Sequence, residues 1–165
     1  MNLLKHTPYL LFLIGIAVLS VGNVLADEAN AERLYQEGKV ELLRGHTAKA
    51  EIKLLLAKRD SPSRYDIVEE LVKVYLIQKE YKKGLVQVDE LLKAKPKEPE
   101  PHLLKGRLLQ HQGDMKGAEA SYITATAYAL DNAAVLAEVG GFYLLIGDAV
   151  QAETYSQRVK ALQNK

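Results

Sequence analysis

Residues 44–62 read "RGHTAKAEIKLLLAKRDSP", and the spacing of Gly45, Ala50, Ala57 and Pro62 recurs along the chain. Working outward, segments starting at Ala31, Tyr65, Pro99 and Ala133 follow one another every 34 residues with no gap. One column reads Gly38, Val72, Gly106, Gly140. The next reads Gly45, Lys79, Gly113, Gly147. A third reads Ala50, Gly84, Ala118, Ala152, and a fourth Ala57, Leu91, Ala125, Val159. Pro62 and Pro96 close the first two segments, with Leu130 and Asn164 in their places later. A repeating unit of this length must be settled before any local reading of the chain.

Each column has a physical reason. A Gly or Ala on a packed face lets two helices approach closely. A turn Gly supplies positive φ and caps a helix, and Pro cannot continue one. Between these points the apolar residues keep a helical period. Leu34, Gly38, Val40 and Leu42 precede the first turn; Ala50, Leu54 and Ala57 follow it. Val68, Leu71, Val72 and Tyr75, then Leu85, Val88 and Leu91, do the same in the second segment. Each segment therefore predicts two helices about a turn near 44–47, 78–81, 112–115 and 146–149. In the third segment "TAYALDN", without a closing proline, predicts a helix that runs on slightly.

These columns resemble tetratricopeptide repeats (TPR), a family built from 34-residue helical hairpins. The resemblance covers residues 31–165, as repeats 31–64, 65–98, 99–132 and 133–165 after a short lead at 27–30. The second repeat departs most, with Val72, Lys79 and Leu91 in small-residue columns. The Trp of many first helices is absent. The resemblance implies an all-α fold, a right-handed α-solenoid of four TPR hairpins, whose first helices line a concave groove for a protein or peptide.

Residues 1–26, "MNLLKHTPYLLFLIGIAVLSVGNVLA", have a basic start at Lys5, an apolar run from Tyr9 to Val21 and small residues before a polar segment. That layout predicts a signal peptide cleaved after Ala26. The run is short of the ~20 residues of a membrane span. An uncleaved anchor is the alternative, and only then is a membrane a partner. No Cys follows the run, which excludes lipoprotein attachment.

Composition removes several classes. The formal charge of +1 falls to balance if Lys5 leaves, so no nucleic-acid partner is expected. Zero Cys excludes disulfides, zinc–thiolate sites and Cys nucleophiles. Of the four histidines, His6 lies in the leader and His46 in a turn. His102 and His111, nine apart, point about 180° apart on a helix. None has metal-ligand spacing, and "GDMKGAE" lacks the Lys and Ser or Thr of a phosphate loop. No enzyme, metal or cofactor is expected.

What the groove presents follows from the resemblance. Its candidate partner-binding residues are Tyr35, Lys39, Leu42, Lys73, Leu76 and Arg107. Lys39, Lys73 and Arg107 form a basic column that ends at Gly141. Glu32, Asp66 and Glu100, seven residues earlier, share its face, and Leu42, Leu76, Gln110 and Leu144 run beside it. Such a ladder would suit a segment alternating acidic and apolar residues; solvated charge pairs are the plainer alternative. The clamp by which some relatives grip a chaperone carboxylate is not matched. Its places hold Tyr35, Lys39, Glu70, Glu100 and Leu104, two of them acidic.

The last helix sets Ala149, Val150, Ala152, Tyr155, Val159 and Leu162 on one stripe and Glu153, Thr154, Gln157, Arg158 and Lys160 on the other. The polar face suits a terminal cap, and Tyr155 leaves a homodimer contact open. "NAAVLAEVGGFYLLIGD" (132–148) resembles the late repeats of small periplasmic proteins of type IV pilus assembly. The expectation is an exported scaffold in a bacterial periplasm, serving an envelope system such as pili. The alternative is an inner-membrane-anchored subunit of a secretion, polysaccharide-export or cytochrome-maturation complex.

Overall fold

The structure, a computed structural model, describes residues 26–164; the leader expected at 1–26 lies almost wholly outside them. Among the described residues there are eight helices and no strand. Helix α1 covers residues 26–43. It is followed by α2 (Thr47–Asp60), α3 (Tyr65–Gln78), α4 (Tyr81–Ala94), α5 (Pro99–Gln112), α6 (Met115–Tyr128), α7 (Ala133–Leu145) and α8 (Ala149–Gln163). None of them is long and apolar enough to cross a membrane. The helices fall into two compact units, one ending at Ile67 and one running from Val68 onward.

All four turn positions take the left-handed conformation, with φ of 79° at Gly45, 61° at Lys79, 93° at Gly113 and 80° at Gly147. Three are glycine, which adopts it freely; Lys79 bears the steric cost of a Cβ there. Lys79→Gly is therefore expected to raise stability by about 1 kcal/mol, the cost of a side chain at positive φ being of that size. Urea unfolding checks this, and an unchanged or lower midpoint refutes it.

In the first unit Gly38 lets α1 lie on α2. A Cβ there would stand 2.8 Å from Leu54 Cγ. Leu34, Ala50, Leu54 and Ala57 are buried around that contact. Ser61 donates its backbone N–H to the Ala57 carbonyl at 2.9 Å, and Pro62 follows at once, so α2 stops there.

In the second unit the same contact is made by Gly106 against Tyr122. A Cβ on Gly106 would stand 2.7 Å from the ring. The equivalent residues of the second repeat are Val72 and Val88, both fully buried. A larger residue on one helix is thus matched by a smaller one on the other. Around Tyr122 an aromatic series continues to Phe142 (centroids 5.0 Å), Tyr143 (5.5 Å) and Tyr155 (5.5 Å). Leu103, Ala118, Ala125, Leu136 and Val139 complete this core.

Three expectations are corrected. Tyr155 is only 7% exposed, its ring stacked on Tyr143, so it is a core residue and not a surface for a dimer. Val150 is 76% exposed and stands off the apolar stripe of α8. Helix α6 does not run on through "TAYALDN". It ends at Tyr128, because the Asn132 side chain accepts the Ala134 and Val135 backbone N–H groups and starts α7. Asp114 and Asp148 cap α6 and α8 in the same way, through Gly117 and Gln151.

Candidate functional site

In the first unit the candidate residues Tyr35, Lys39 and Leu42 lie on α1. Tyr35 is buried rather than displayed. Two cations cover its ring, Lys39 Nζ at 5.0 Å and the Arg64 guanidinium at 4.8 Å from the centroid. Each such contact contributes about 0.5–1 kcal/mol where water still reaches it. Arg64 donates to both Asp66 oxygens, at 3.2 and 2.5 Å, and to Glu32. The Gln36 amide and Arg64 hold the Glu32 carboxyl below its ordinary range, and Arg64 does the same for Asp66. Leu42 is half-buried.

Two of the expected flanking acids, Glu32 and Asp66, are therefore gathered by one arginine. Arg64 has no signal as a site residue in the sequence, because its repeat positions hold Glu98 and Asn132 and the register gives it no column. Lysines behave more simply. Lys53 Nζ lies 2.7 Å from Glu37, which Arg33 also engages.

In the second unit Lys73 and Leu76 lie on α3 and Arg107 on α5. Lys73 Nζ donates to Glu70 one turn earlier at 2.7 Å. Leu76 is half-buried. Arg107 forks onto Glu138 of α7, Nε to Oε1 at 2.6 Å and Nη2 to Oε2 at 2.5 Å, with Nη1 3.4 Å from Glu100. Glu138 raises the guanidinium above its ordinary range, against the opposing effect of burial. The bidentate geometry fixes α7 against α5 in angle as well as charge. Two hydroxyls are also engaged: Tyr122 donates to Gln110 at 2.9 Å and Tyr143 to Glu119 at 3.1 Å. Burial pushes both phenols up.

Each cation of the expected basic column already has a partner within its own unit. Lys73 and Arg107 present compensated charge, and Lys39 lies over a ring. In the aliphatic column beside it Leu42 and Leu76 are half-buried, whereas Leu144 is 69% exposed. Glu138 is the residue of this arrangement that sequence reasoning misses. Its position marks only a plain helix face, and the packing of α7 alone brings it to Arg107.

Among the described residues no three His, Asp or Glu side chains converge as a metal site would. His46 Nδ1 lies 2.8 Å from Glu41, His102 Nε2 lies 2.9 Å from the Pro96 carbonyl oxygen, and His111 stacks on Tyr81 at 6.1 Å.

No family model matches the sequence, and no curated protein matches it. Solved structures do. MamA (residue 41 to the end) of Desulfovibrio magneticus RS-1 aligns with a TM-score of 0.69 and 18% identity, over 81% of this chain and 76% of that one. TTC0263, a thermophilic TPR protein of Thermus thermophilus, aligns at 0.69 and 15% over 82% and 75%. A tetratricopeptide repeat protein of Parabacteroides merdae ATCC 43184 aligns at 0.68 and 18% over 83% of this chain but 55% of its own length. At these identities the similarity establishes the fold, an all-α array of TPR hairpins, and nothing of the activity.

Proposed function

We propose that the protein is a non-enzymatic scaffold that holds a segment of a partner protein against the exposed faces of its first helices. The observation that carries this reading is the pairing of half-exposed aliphatics with cations already held by a ring or a carboxylate on those faces. Leu42 sits one turn from Lys39 and Leu76 one turn from Lys73. Apolar area there remains open to water, while hydrogen-bonding groups stand beside it, already oriented. A rigid preformed surface of this kind binds with little ordering of the host. An acidic–apolar segment would gain both from the aliphatics and from competition for Lys39, Lys73 and Arg107.

The finer part of the proposal is a setting. The leader, the absence of a lipid-attachment Cys and the likeness of residues 132–148 to pilus-assembly repeats support a periplasmic scaffold in a bacterial envelope system. The apolar run Tyr9–Val21 supports a second reading, an anchored subunit of an envelope complex. Mass spectrometry of the protein from its native membrane fraction separates the two: loss of residues 1–26 favours the soluble scaffold, retention the anchored subunit.

Binding is tested by a charge swap. Arg107→Glu alone sets like charges together and is expected to cost about 1–3 kcal/mol, a discounted fraction of the 3–5 for a fully buried pair. Adding Glu138→Arg restores the pair with the charge moved to α7. A partner that uses the basic column would be captured by the wild-type protein and lost by the swapped pair at equal stability. Equal capture by both refutes the basic column as the recognition element. A photo-crosslinker at Leu42 and Leu76 that captures no protein in envelope extract sinks the scaffold reading itself.

A further inference from the structure

The chain carries its own template for joining one hairpin to the next. Between α4 and α5, Leu108 seats so closely on Gly84 that a Cβ on Gly84 would stand 2.6 Å from Leu108 Cδ2. Lys105 Nζ reaches Asp89 at 3.3 Å across the same joint. Between α6 and α7, Phe142 seats on Tyr122, and the Tyr143 hydroxyl reaches Glu119. Leu108 and Phe142 hold the same repeat position, as do Val40 and Val74. Leu108, Phe142 and Val74 are buried, whereas Val40 is 43% exposed.

Among the described residues, the first and last hairpins show the two halves of such a joint, each open. Helices α7 and α8 enclose a groove of about 370 Å³ with a floor of Ala137, Gly140, Gly141, Ala152 and Ser156. No side chain of this chain lies within 4 Å of the place a Cβ on Gly141 would take. At the other end, α1 and α2 enclose a groove of about 720 Å³ lined by Val40 and Ile52 with a charged rim. In the internal joint the second helix of one hairpin abuts the first helix of the next, ridge into groove.

We propose that a second copy of this chain fills both grooves, α1 of one copy lying along the α7–α8 groove of another, with α8 in the α1–α2 groove. Val40 would take the seat that Leu108 and Phe142 take internally. Charge agrees with the fit. Arg107 and Glu138, which pair at an internal joint, are replaced at the ends by Gly141 and Gln36, so neither face brings an unpaired charge there. By the antiparallel offsets of the internal joints, Gln157 falls opposite Glu37, and Glu153 opposite Glu41 beside Arg44, where the arginine can bridge two acids. The contact is heterologous, so each copy offers one face and receives the other.

The experiment is sedimentation of the purified full chain from low to high micromolar, with two variants. Val40→Asp blocks the α1 face and Gly141→Trp blocks the α7–α8 groove. Both positions are open to solvent in the single chain, so the fold should hold, and circular dichroism checks it. The wild-type mass should rise with concentration. Each variant should weaken association by about tenfold or more, as losing a central interface contact does. Mixed in equal amounts, the two should form a dimer and go no further, since each retains one intact face. A chain carrying both changes should stay monomeric. A wild-type chain that is monomeric throughout overturns the proposal, as does association that survives the double change or variants that fail to complement when mixed.

Discussion

Tyr122→Ala is expected to lower the unfolding free energy by about 3–5 kcal/mol, the range for removing a large buried aromatic. Tyr122 is the largest of the fully buried side chains and stands at the meeting of three helices. Its ring closes the space left by Gly106, stacks obliquely on Phe142 and ends in a hydroxyl bonded to Gln110. Truncation leaves a cavity that glycine on the facing helix cannot help to fill. It also frees the Gln110 acceptor. For a domain of this size the melting temperature should fall by roughly 10 °C. Tyr122→Phe separates the parts, costing about 1 kcal/mol for the hydrogen bond alone. Thermal unfolding of both variants is the measurement. A loss below about 1 kcal/mol for the alanine variant would show that the site collapses freely, contrary to close packing.

Leu91→Ala sets the repeat register against burial. The same position holds Ala57 and Ala125, so the pattern alone makes alanine the natural residue there. Leu91 is fully buried, as are Val72 and Val88 in the same repeat. The second repeat keeps Gly84 but holds Val72 and Leu91 where other repeats have glycine and alanine. Returning one residue to the pattern removes methyl and methylene groups from a packed core and should cost about 2–5 kcal/mol. Urea unfolding with an unchanged slope is the expected form of the result. A neutral or stabilising change would refute the burial argument. Lys79→Gly makes the contrast. Both changes move toward the register, yet one relieves backbone strain and the other opens a void.

Much of the fold can be read from single columns. The turn column places all four left-handed residues, including Lys79, whose side chain gives no hint of it. The first-helix glycines mark the close contacts at Leu54 and Tyr122. These succeed because backbone conformation and helix approach depend on local chemistry repeated at a constant spacing. The stop of α6 escapes the pattern because "TAYAL" has helical propensity, and the competing Asn132 cap acts from four residues beyond its end.

The candidate site is less legible. Periodicity places Lys39, Lys73 and Arg107 on one stripe, but their partners lie elsewhere: a ring, a neighbour one turn away, and a carboxylate on another helix. Arg64 and Glu138 carry no signal in the register. Tyr35, expected to face a ligand, instead lies beneath two cations. Exposure also differs between repeats at equivalent positions, as Val40 and Leu108 show.

By itself the sequence determined the hairpin unit, its period, its turns and the residues at which helices touch, because each follows from backbone preference or from side-chain size at a constant interval. Only the tertiary structure decided which charges are compensated, which aromatic rings are core and which apolar residues at the two ends stay open. Those properties depend on what packs opposite each residue. Among the described residues, nothing covers Val40 in the first hairpin as neighbours cover Val74, Leu108 and Phe142 at the same repeat position.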